Sequence, residues 1–360
     1  MTSKLHRQSL LAYGAPLAET IVDCPVPQRT EVLVRIERCG VCHSDLHMQD
    51  GCFRLAGDKK LDITSGRTLP FTLGHEIAGV IESAGADVAS DAAAAPGRKV
   101  AVFPWIGCQA CPACRRGEEN LCATPRHLGI MADGGYASHV LVPHPRYLID
   151  YAPLAPALAG MLMCSGLTAY AALKRIQVHA ARGPVLLVGL GGVGMMGMAL
   201  ARTLFAAAPL VADIDAGKRE AALKAGAAAA FDPADPTARK AVTAATGGVH
   251  GVCDFVGSES SLAFATSVLA KGGKVVVTGL IGGGYATHVA MFVLRAMTIE
   301  GILTGTLAEA EELMALARAG HALAVPIAER PLGEAQAALD DLRAGRVVGR
   351  VVLTHASPSP

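Results

Sequence analysis

From Pro184 onward the chain alternates short apolar runs with alanine-rich stretches of helical period, and the first junction between the two reads Gly189-Leu190-Gly191-Gly192-Val193-Gly194. Few sequence features restrict a fold more. Strand–helix alternation at this spacing is the sequence form of a parallel sheet with helices on both faces. Segments 184–190, 209–215, 227–231, 251–257, 273–280 and 297–303 are the expected strands; 192–206, 216–226, 233–246 and 258–272 are the expected helices. In G-x-G-x-x-G, the first glycine permits a tight turn. The second lets backbone approach a pyrophosphate, and the third lets helix and strand pack closely. Gly189, Gly191 and Gly194 hold those places, with Gly192 and Val193 opening a helix whose free N–H groups suit phosphate. Asp213 follows about 20 residues on, where a carboxylate accepts hydrogen bonds from ribose hydroxyls and repels a 2′-phosphate. NAD is therefore expected over NADP. Asp215 competes for the same role; the expected strand end favours Asp213. A structural turn with a surface aspartate is the plainer alternative.

At 360 residues the chain exceeds what one core usually fills, so two domains are expected. The first 150 or so residues read as β-rich, with short β-branched runs at 31–40, 77–83 and 136–143. Beyond the alternating segment, two helices (307–320 and 332–345) and a closing strand (349–354) are expected. The alanine-rich pieces 91–95 and 225–230 read as short surface segments, and 356–360 as a frayed end. A net charge of +1 argues against a nucleic-acid partner and gives no attraction to an anionic membrane. No unbroken apolar run reaches the ~20 residues of a span, and no leader pattern opens the chain. A cytoplasmic protein is expected.

Ten cysteines are too sparse for a disulfide framework in a chain this long, yet four fall between 108 and 122. Cys108, Cys111, Cys114 and Cys122 are spaced C-x-x-C-x-x-C-x(7)-C. Four thiolates with no open position describe a structural zinc site. An iron–sulfur cluster and a metal-free redox cluster are the alternatives, the first weakened by the wide final gap. Arg115 and Arg116 are too few for a nucleic-acid-binding zinc ribbon.

A second concentration of reactive side chains is "GVCHSDLHMQDG", residues 40–51. Cys42 is a plausible metal ligand there, and "LGHEIAG" (His75, Glu76) and "MLMCSGLTAY" (Cys164) can complete a site. Cysteine, histidine and cysteine leave the fourth position of a tetrahedral zinc open, as catalysis requires. Spacing alone does not link positions 42, 75 and 164. Taken singly, each has a blander reading as core or surface, and a nucleophilic cysteine beside a histidine also fits.

"GVCHSDLH", "GHE", the four-cysteine lobe, "GLGGVG" and "GRVVLT" occur in the order found in zinc-dependent medium-chain alcohol dehydrogenases, and the chain resembles that family from about Glu31 to Thr354. The resemblance implies an α/β protein: a GroES-like β-rich catalytic domain (1–153, with a structural zinc lobe at about 104–124), a Rossmann NAD-binding domain with a doubly wound parallel sheet (154–297), and a tail (298–360) returning to the first. It implies two zinc ions per chain. Cys42, His75 and Cys164 become the catalytic zinc ligands and Cys108, Cys111, Cys114 and Cys122 the structural ones. Glu76 becomes an alternate ligand beside the metal, and Asp45 the carboxylate that orients His75. Ser44 matches the hydroxyl that takes the substrate proton. His47 matches the end of a relay that runs through the cofactor ribose to solvent. His43 matches a pyrophosphate contact, Thr168 a residue flanking the nicotinamide, Lys218 one near the adenosine ribose, and Arg350 one near the cofactor phosphate and Glu76. The implied reaction is reversible oxidation of an alcohol to an aldehyde or ketone, and the implied assembly a homodimer or homotetramer built through the sheet edge near "TIEGIL". A dinucleotide-binding zinc protein without catalysis would not need Cys42, Ser44, His47, His75 and Cys164 together. Zinc-free reductases of activated C=C bonds in the same superfamily lack both cysteine sets. Segment 51–72 is longer than in many relatives; it is expected to border the substrate pocket and to be able to reach a neighbouring subunit.

Overall fold

The structure is a computed structural model and describes residues 4–57, 59–321, 323 and 325–355. The tail expected to fray, 356–360, lies outside the described residues.

The alternating segment builds a six-stranded sheet from Val185–Val188, Leu210–Ala212, Ala229–Phe231, Val249–Asp254, Leu269–Val277 and Thr298–Gly301. In space the order is third, second, first, fourth, fifth, sixth, and every neighbouring pair is parallel. The chain therefore winds outward in both directions from Val185–Val188, all four residues of which are buried, as a strand between two helical layers must be. Helices Gly192–Leu204, Ala216–Lys224, Ala238–Thr246 and Glu259–Ser267 make the crossovers. A crevice opens where the winding reverses, at the carboxyl ends of the strands.

Several expected boundaries shift for local reasons. The helix expected at 233–246 starts at Ala238, because the carboxylates of Asp232 and Asp235 accept the amides of Ala234 and Thr237 and close turns instead. The helix expected at 258–272 ends at Ser267, and the next strand begins at Leu269. Val289–Arg295 is a helix that the alternation did not indicate. The piece 91–95 is not all surface: Asp91 caps a single turn, Ala92–Ala94, whose last residue is buried. Ala229 and Ala230 belong to a strand.

A second sheet has seven strands. Six run in the order Leu148–Asp150, Lys99–Val102, Glu76–Ala84, Val32–Gly40, Arg350–Thr354 and Ile327–Pro331, and His139–Val142 also pairs with Val32–Gly40. The closing strand sits antiparallel to Val32–Gly40, Val352 opposite Gly40, so the tail returns to the sheet that the first third of the chain builds. Its parallel partner Ile327–Pro331 escaped the sequence reading, being mostly exposed and ending on proline.

One helical run, Pro156–Ala180, leads from the first body to the second. It is long and apolar enough to cross a membrane by length and composition, but 89% of its most apolar window is buried in the protein. Its middle, Leu162–Gly166, widens into a π-turn. Such local widening recurs at functional positions, and Cys164 sits in it.

Candidate active site and metal centres

Most of the stretch 40–51 is one short helix. Cys42 caps His43–Asp50, its amide donating to Asp45 Oδ2 at 2.9 Å, and Gly51 ends the helix in the left-handed region (φ 71°) with its amide on the His47 carbonyl. His75 immediately precedes the strand Glu76–Ala84, and Cys164 comes from the π-turn. These three distant segments converge: the donor atoms of Cys42, His75 and Cys164 lie within 4.8 Å of one another, all buried. The two sulfurs are 4.0 Å apart. Two sulfurs at ~2.3 Å from one tetrahedral zinc stand about 3.8 Å apart.

Both ring nitrogens of His75 are buried without a hydrogen bond; Nδ1 stands 3.3 Å from Asp45 Oδ1, and Nε2 is left without a partner. Asp45 is itself held by the Gly74 amide (3.2 Å) and the Tyr136 hydroxyl (2.9 Å). The hydrogen bond from Cys164, helped by His75, holds Cys42 well below the usual thiol range; the same bond and burial push Cys164 well above it. A divalent cation resolves this by letting both sulfurs ionise, and two thiolates with one imidazole suit zinc.

Glu76 is fully buried behind the cluster. Oε1 accepts the Ser165 amide at 3.0 Å and Oε2 pairs with Arg350, so both oxygens are engaged. Burial pushes its carboxyl up, against the pull of Arg350. Arg350 in turn lines a small cavity of about 120 Å³ with His43, Gly191, Gly192 and Lys218, which joins the closing strand to the glycine turn.

That turn has the expected construction. Gly189 has φ +87°, and a Cβ on Gly194 would meet the Gly189 carbonyl oxygen at 1.8 Å. Asp213 stands just past Leu210–Ala212, with Oδ2 accepting the Leu190 amide (2.6 Å) and Oδ1 the Asp215 amide (2.9 Å). Its rival Asp215 is occupied as a helix cap, accepting the Lys218 amide at 3.0 Å. A cavity of about 1000 Å³ runs from Pro233 and Asp213 past Gly189–Gly194, Val193 and Thr168 to Cys42, Ser44 and Cys164, and ends among Phe53, Arg67, Trp105 and His127. Ser44 Oγ lies 3.8 Å from Cys42 Sγ. The His47 ring packs on Phe53 at 4.7 Å, and burial, with His43 nearby, holds it below the usual imidazole value.

The second cysteine set also closes on itself. Sγ separations are 3.4 Å for Cys111–Cys114, 3.9 Å for Cys111–Cys122 and 4.0 Å for Cys108–Cys114. Backbone amides aim at the sulfurs: Cys111 N at Cys108 (3.3 Å) and Cys108 N at Cys122 (3.2 Å). Such amides bring Cys108 down to about 6, while burial first, and then its neighbours, lift Cys114 to about 12. The buried Glu119 anchors the lobe by accepting the Gly107 amide (2.9 Å) and the Tyr147 hydroxyl (2.7 Å), and by pairing with Arg146.

Two contributors were missed by the sequence reading. Trp105, the only tryptophan, fixes its indole N–H on the Met163 carbonyl (2.9 Å) and lays its ring against His75. Tyr136 holds Asp45. Segment 51–72, expected beside the pocket, contributes Phe53, Ile63, Ser65 and Arg67 to the cavity lining; within it Cys52–Arg54 pairs with Lys60–Asp62, and Leu55 bridges to Gly283 of the same chain. Of the two missed, only the lone tryptophan just ahead of the cysteine lobe offered any signal.

A dinucleotide-type parallel sheet, joined to a β-rich body that carries an open three-donor cluster and a closed four-thiol one, defines a class of metal-dependent oxidoreductase folds. The alcohol dehydrogenase GroES-like domain family matches residues 28–152, and the zinc-binding dehydrogenase family matches residues 192–319. An NAD-dependent alcohol dehydrogenase of Sulfurisphaera tokodaii is 37% identical over 97% of this chain and 99% of its own length. One of Saccharolobus solfataricus is 37% identical over 96% and 98%. The solved alcohol dehydrogenase of Aeropyrum pernix superposes with a TM-score of 0.84 at 30% identity, covering 97% of this chain and 99% of that one. The chain belongs to the zinc-dependent medium-chain alcohol dehydrogenase family.

Proposed function

We propose that the chain is a zinc- and NAD-dependent alcohol dehydrogenase, oxidising a primary or secondary alcohol reversibly to an aldehyde or ketone and binding two zinc ions. The observation that carries this reading is the convergence of Cys42, His75 and Cys164 on the cavity that also runs along Gly189–Gly194. Zinc held by those three residues supplies Lewis acidity to an alcohol oxygen, and NAD supplies the hydride acceptor. The chain's residues do the rest. Asp45 and Tyr136 keep His75 in one tautomer and one orientation. Ser44, beside Cys42 and open to the cavity, takes the hydroxyl proton. His47 lines the same cavity and is the base that hands protons to solvent. Asp213 receives the ribose hydroxyls, and Arg350 ties the phosphate turn to Glu76 behind the cluster.

Zinc-loaded protein should produce NADH from NAD in the presence of short aliphatic or benzylic alcohols, followed by absorbance, and elemental analysis should give two zinc per chain. One zinc per chain and no alcohol-dependent NADH would refute the reading. A homo-oligomer is part of the proposal. Thr298–Gly301 is the outer edge of the parallel sheet, and the adjacent helix Val289–Arg295 leaves Val289 79% and Val293 77% exposed. An unpaired edge beside an apolar helix suits a second copy related by a two-fold axis.

Two outcomes follow at the cofactor and relay. Asp213→Ala should lower kcat/KM for NAD by about 100-fold while raising that for NADP, and should also lower stability by roughly 1–3 kcal/mol, because the Leu190 and Asp215 amides lose their acceptors. Steady-state assays with both cofactors and a thermal melt check the pair of effects. A wild-type preference for NADP would contradict the assignment. His47 has its proton affinity lowered by burial, so it stays an unprotonated base to below the usual imidazole value near 6.5. Alcohol oxidation should therefore lose rate only as pH falls through that lowered value. His47→Asn should flatten this acid limb and lower the plateau by about 10-fold. An unchanged pH–rate profile in the variant would remove His47 from the relay.

A further inference from the structure

The far end of the cavity carries a cation that the alcohol chemistry does not use. Arg67 lies in the segment after the hairpin, and its guanidinium is half-buried in the cavity wall. Nε donates to the Ile130 carbonyl and one Nη to the Ile63 carbonyl. The other Nη meets Met48 Sδ at 3.2 Å, and a thioether is a weak acceptor. Among the described residues no carboxylate pairs with it. Asp62, near enough to feel its charge, is turned to the amide and hydroxyl of Thr64, each at 2.7 Å. Five N–H donors thus face two strong acceptors. The other ionisable group on this wall, His127, is held neutral by burial, its value brought down to about 4. Arg67 is thus the cation that this end of the cavity lining presents, with Asp62 outside the lining and turned to Thr64.

Its position relative to the reacting centre follows from the helix His43–Asp50. Met48 and Ser44 are one turn apart and share a face, so the guanidinium beside Met48 stands on the order of 10 Å from the Cys42 cluster beside Ser44. Phe53 and Ile63 fill the wall between with apolar surface. A ligand spanning this space is apolar in its middle, with a carbinol at one end and an anion at the other.

We propose that Arg67 is a specificity-determining residue, receiving a carboxylate at the end of the substrate remote from its carbinol, so that the preferred substrates are ω-hydroxy acids and the products oxo acids. A planar guanidinium with free N–H groups matches a carboxylate's two oxygens; it faces two carbonyls, a thioether and the Phe71 ring (6.0 Å), so a neutral substrate leaves it without an anionic partner. The inference rests on the alcohol dehydrogenase reading, and the chemistry at the carbinol carbon is unchanged.

The test compares ω-hydroxyhexanoate with 1-hexanol on zinc-loaded enzyme and NAD. The wild type should favour the acid in kcat/KM. In Arg67→Met the acid-to-alcohol ratio should fall by about 30- to 100-fold, mostly through KM of the acid, and Arg67→Lys should recover it to within about 10-fold of wild type. A guanidinium that only staples the loops would lower both substrates together and leave the ratio fixed; that result overturns the proposal. So does a wild type that oxidises 1-hexanol and is no better with the acid. If neither compound is oxidised, nor any alcohol of the wider panel, the dehydrogenase reading itself fails and takes this inference with it.

Discussion

Cys164→Ser should remove one of two zinc ions and lower kcat for alcohol oxidation by roughly 10³- to 10⁴-fold, the equivalent of about 4–5.5 kcal/mol of transition-state stabilisation. The substitution is nearly isosteric, so the π-turn Leu162–Gly166 and the core around it should keep their packing. What changes is the ligand. A neutral hydroxyl is a poor donor for zinc beside a thiolate and an imidazole, and its pKa is too high for the metal to ionise it cheaply. With one thiolate and one imidazole left, the site keeps two of its three strong donors. The four-cysteine lobe shares no ligand with this cluster and should keep its metal. Elemental analysis should then read close to one zinc per chain, with the melting temperature changed far less than the activity. Two retained metals with near-normal turnover would show that Cys164 is not a ligand.

The two metal clusters were not equally legible. The four-cysteine lobe was readable because all its ligands lie within fifteen residues, and a loop that short can bring them together in few ways. The Cys42–His75–Cys164 set was not readable from spacing, because its closeness is a product of the fold: a helix cap, a strand entry and a π-turn from three segments. Only the resemblance connected them. The parallel sheet was legible because a strand buried on both faces must be continuously apolar and its crossovers must be helical. Its boundaries were less so, since Asp232 and Asp235 redirect the chain by side-chain hydrogen bonds that periodicity does not register. Asp213 was chosen over Asp215 by expected strand length; in the structure Asp213 lines the cavity, while Asp215 caps the next helix. Tyr136 and Arg67 carry no local pattern, and Trp105 is marked only by being the single tryptophan. Their placement depends on which loops the two bodies bring to one cavity, and that is a tertiary property.

Cys111→Ser should have the opposite signature: a large loss of stability, loss of the other metal, and a smaller loss of turnover. On the proposed reading four thiolates around one cation hold segment 108–122 closed, and few apolar side chains there could replace them; Cys108, Cys111 and Cys114 are all partly exposed. Isolated structural zinc sites contribute apparent free energies of about 10–16 kcal/mol to folding. Here Glu119, bonded to Gly107 and Tyr147 and paired with Arg146, anchors the base of the lobe whether or not metal is bound. The loss should therefore be partial, roughly 3–5 kcal/mol, which lowers the melting temperature by about 4–7 °C in a chain this size. Turnover should fall too, though only by about 10-fold, and for a traceable reason. Asn120, between Cys114 and Cys122, donates to the Leu303 carbonyl at 2.7 Å, and Leu303 lines the cavity beside Thr304 and Ile302. A frayed lobe releases that wall. Asn120→Ala isolates this route: it should reproduce the drop in turnover while keeping both metals and most of the melting temperature. Limited proteolysis should cut Cys111→Ser within 108–122 and leave wild type intact there. If Cys111→Ser keeps its metal and melts within about 2 °C of wild type, the lobe is not a metal-stabilised element, and the stability of this part of the chain must come from the Glu119 anchor alone.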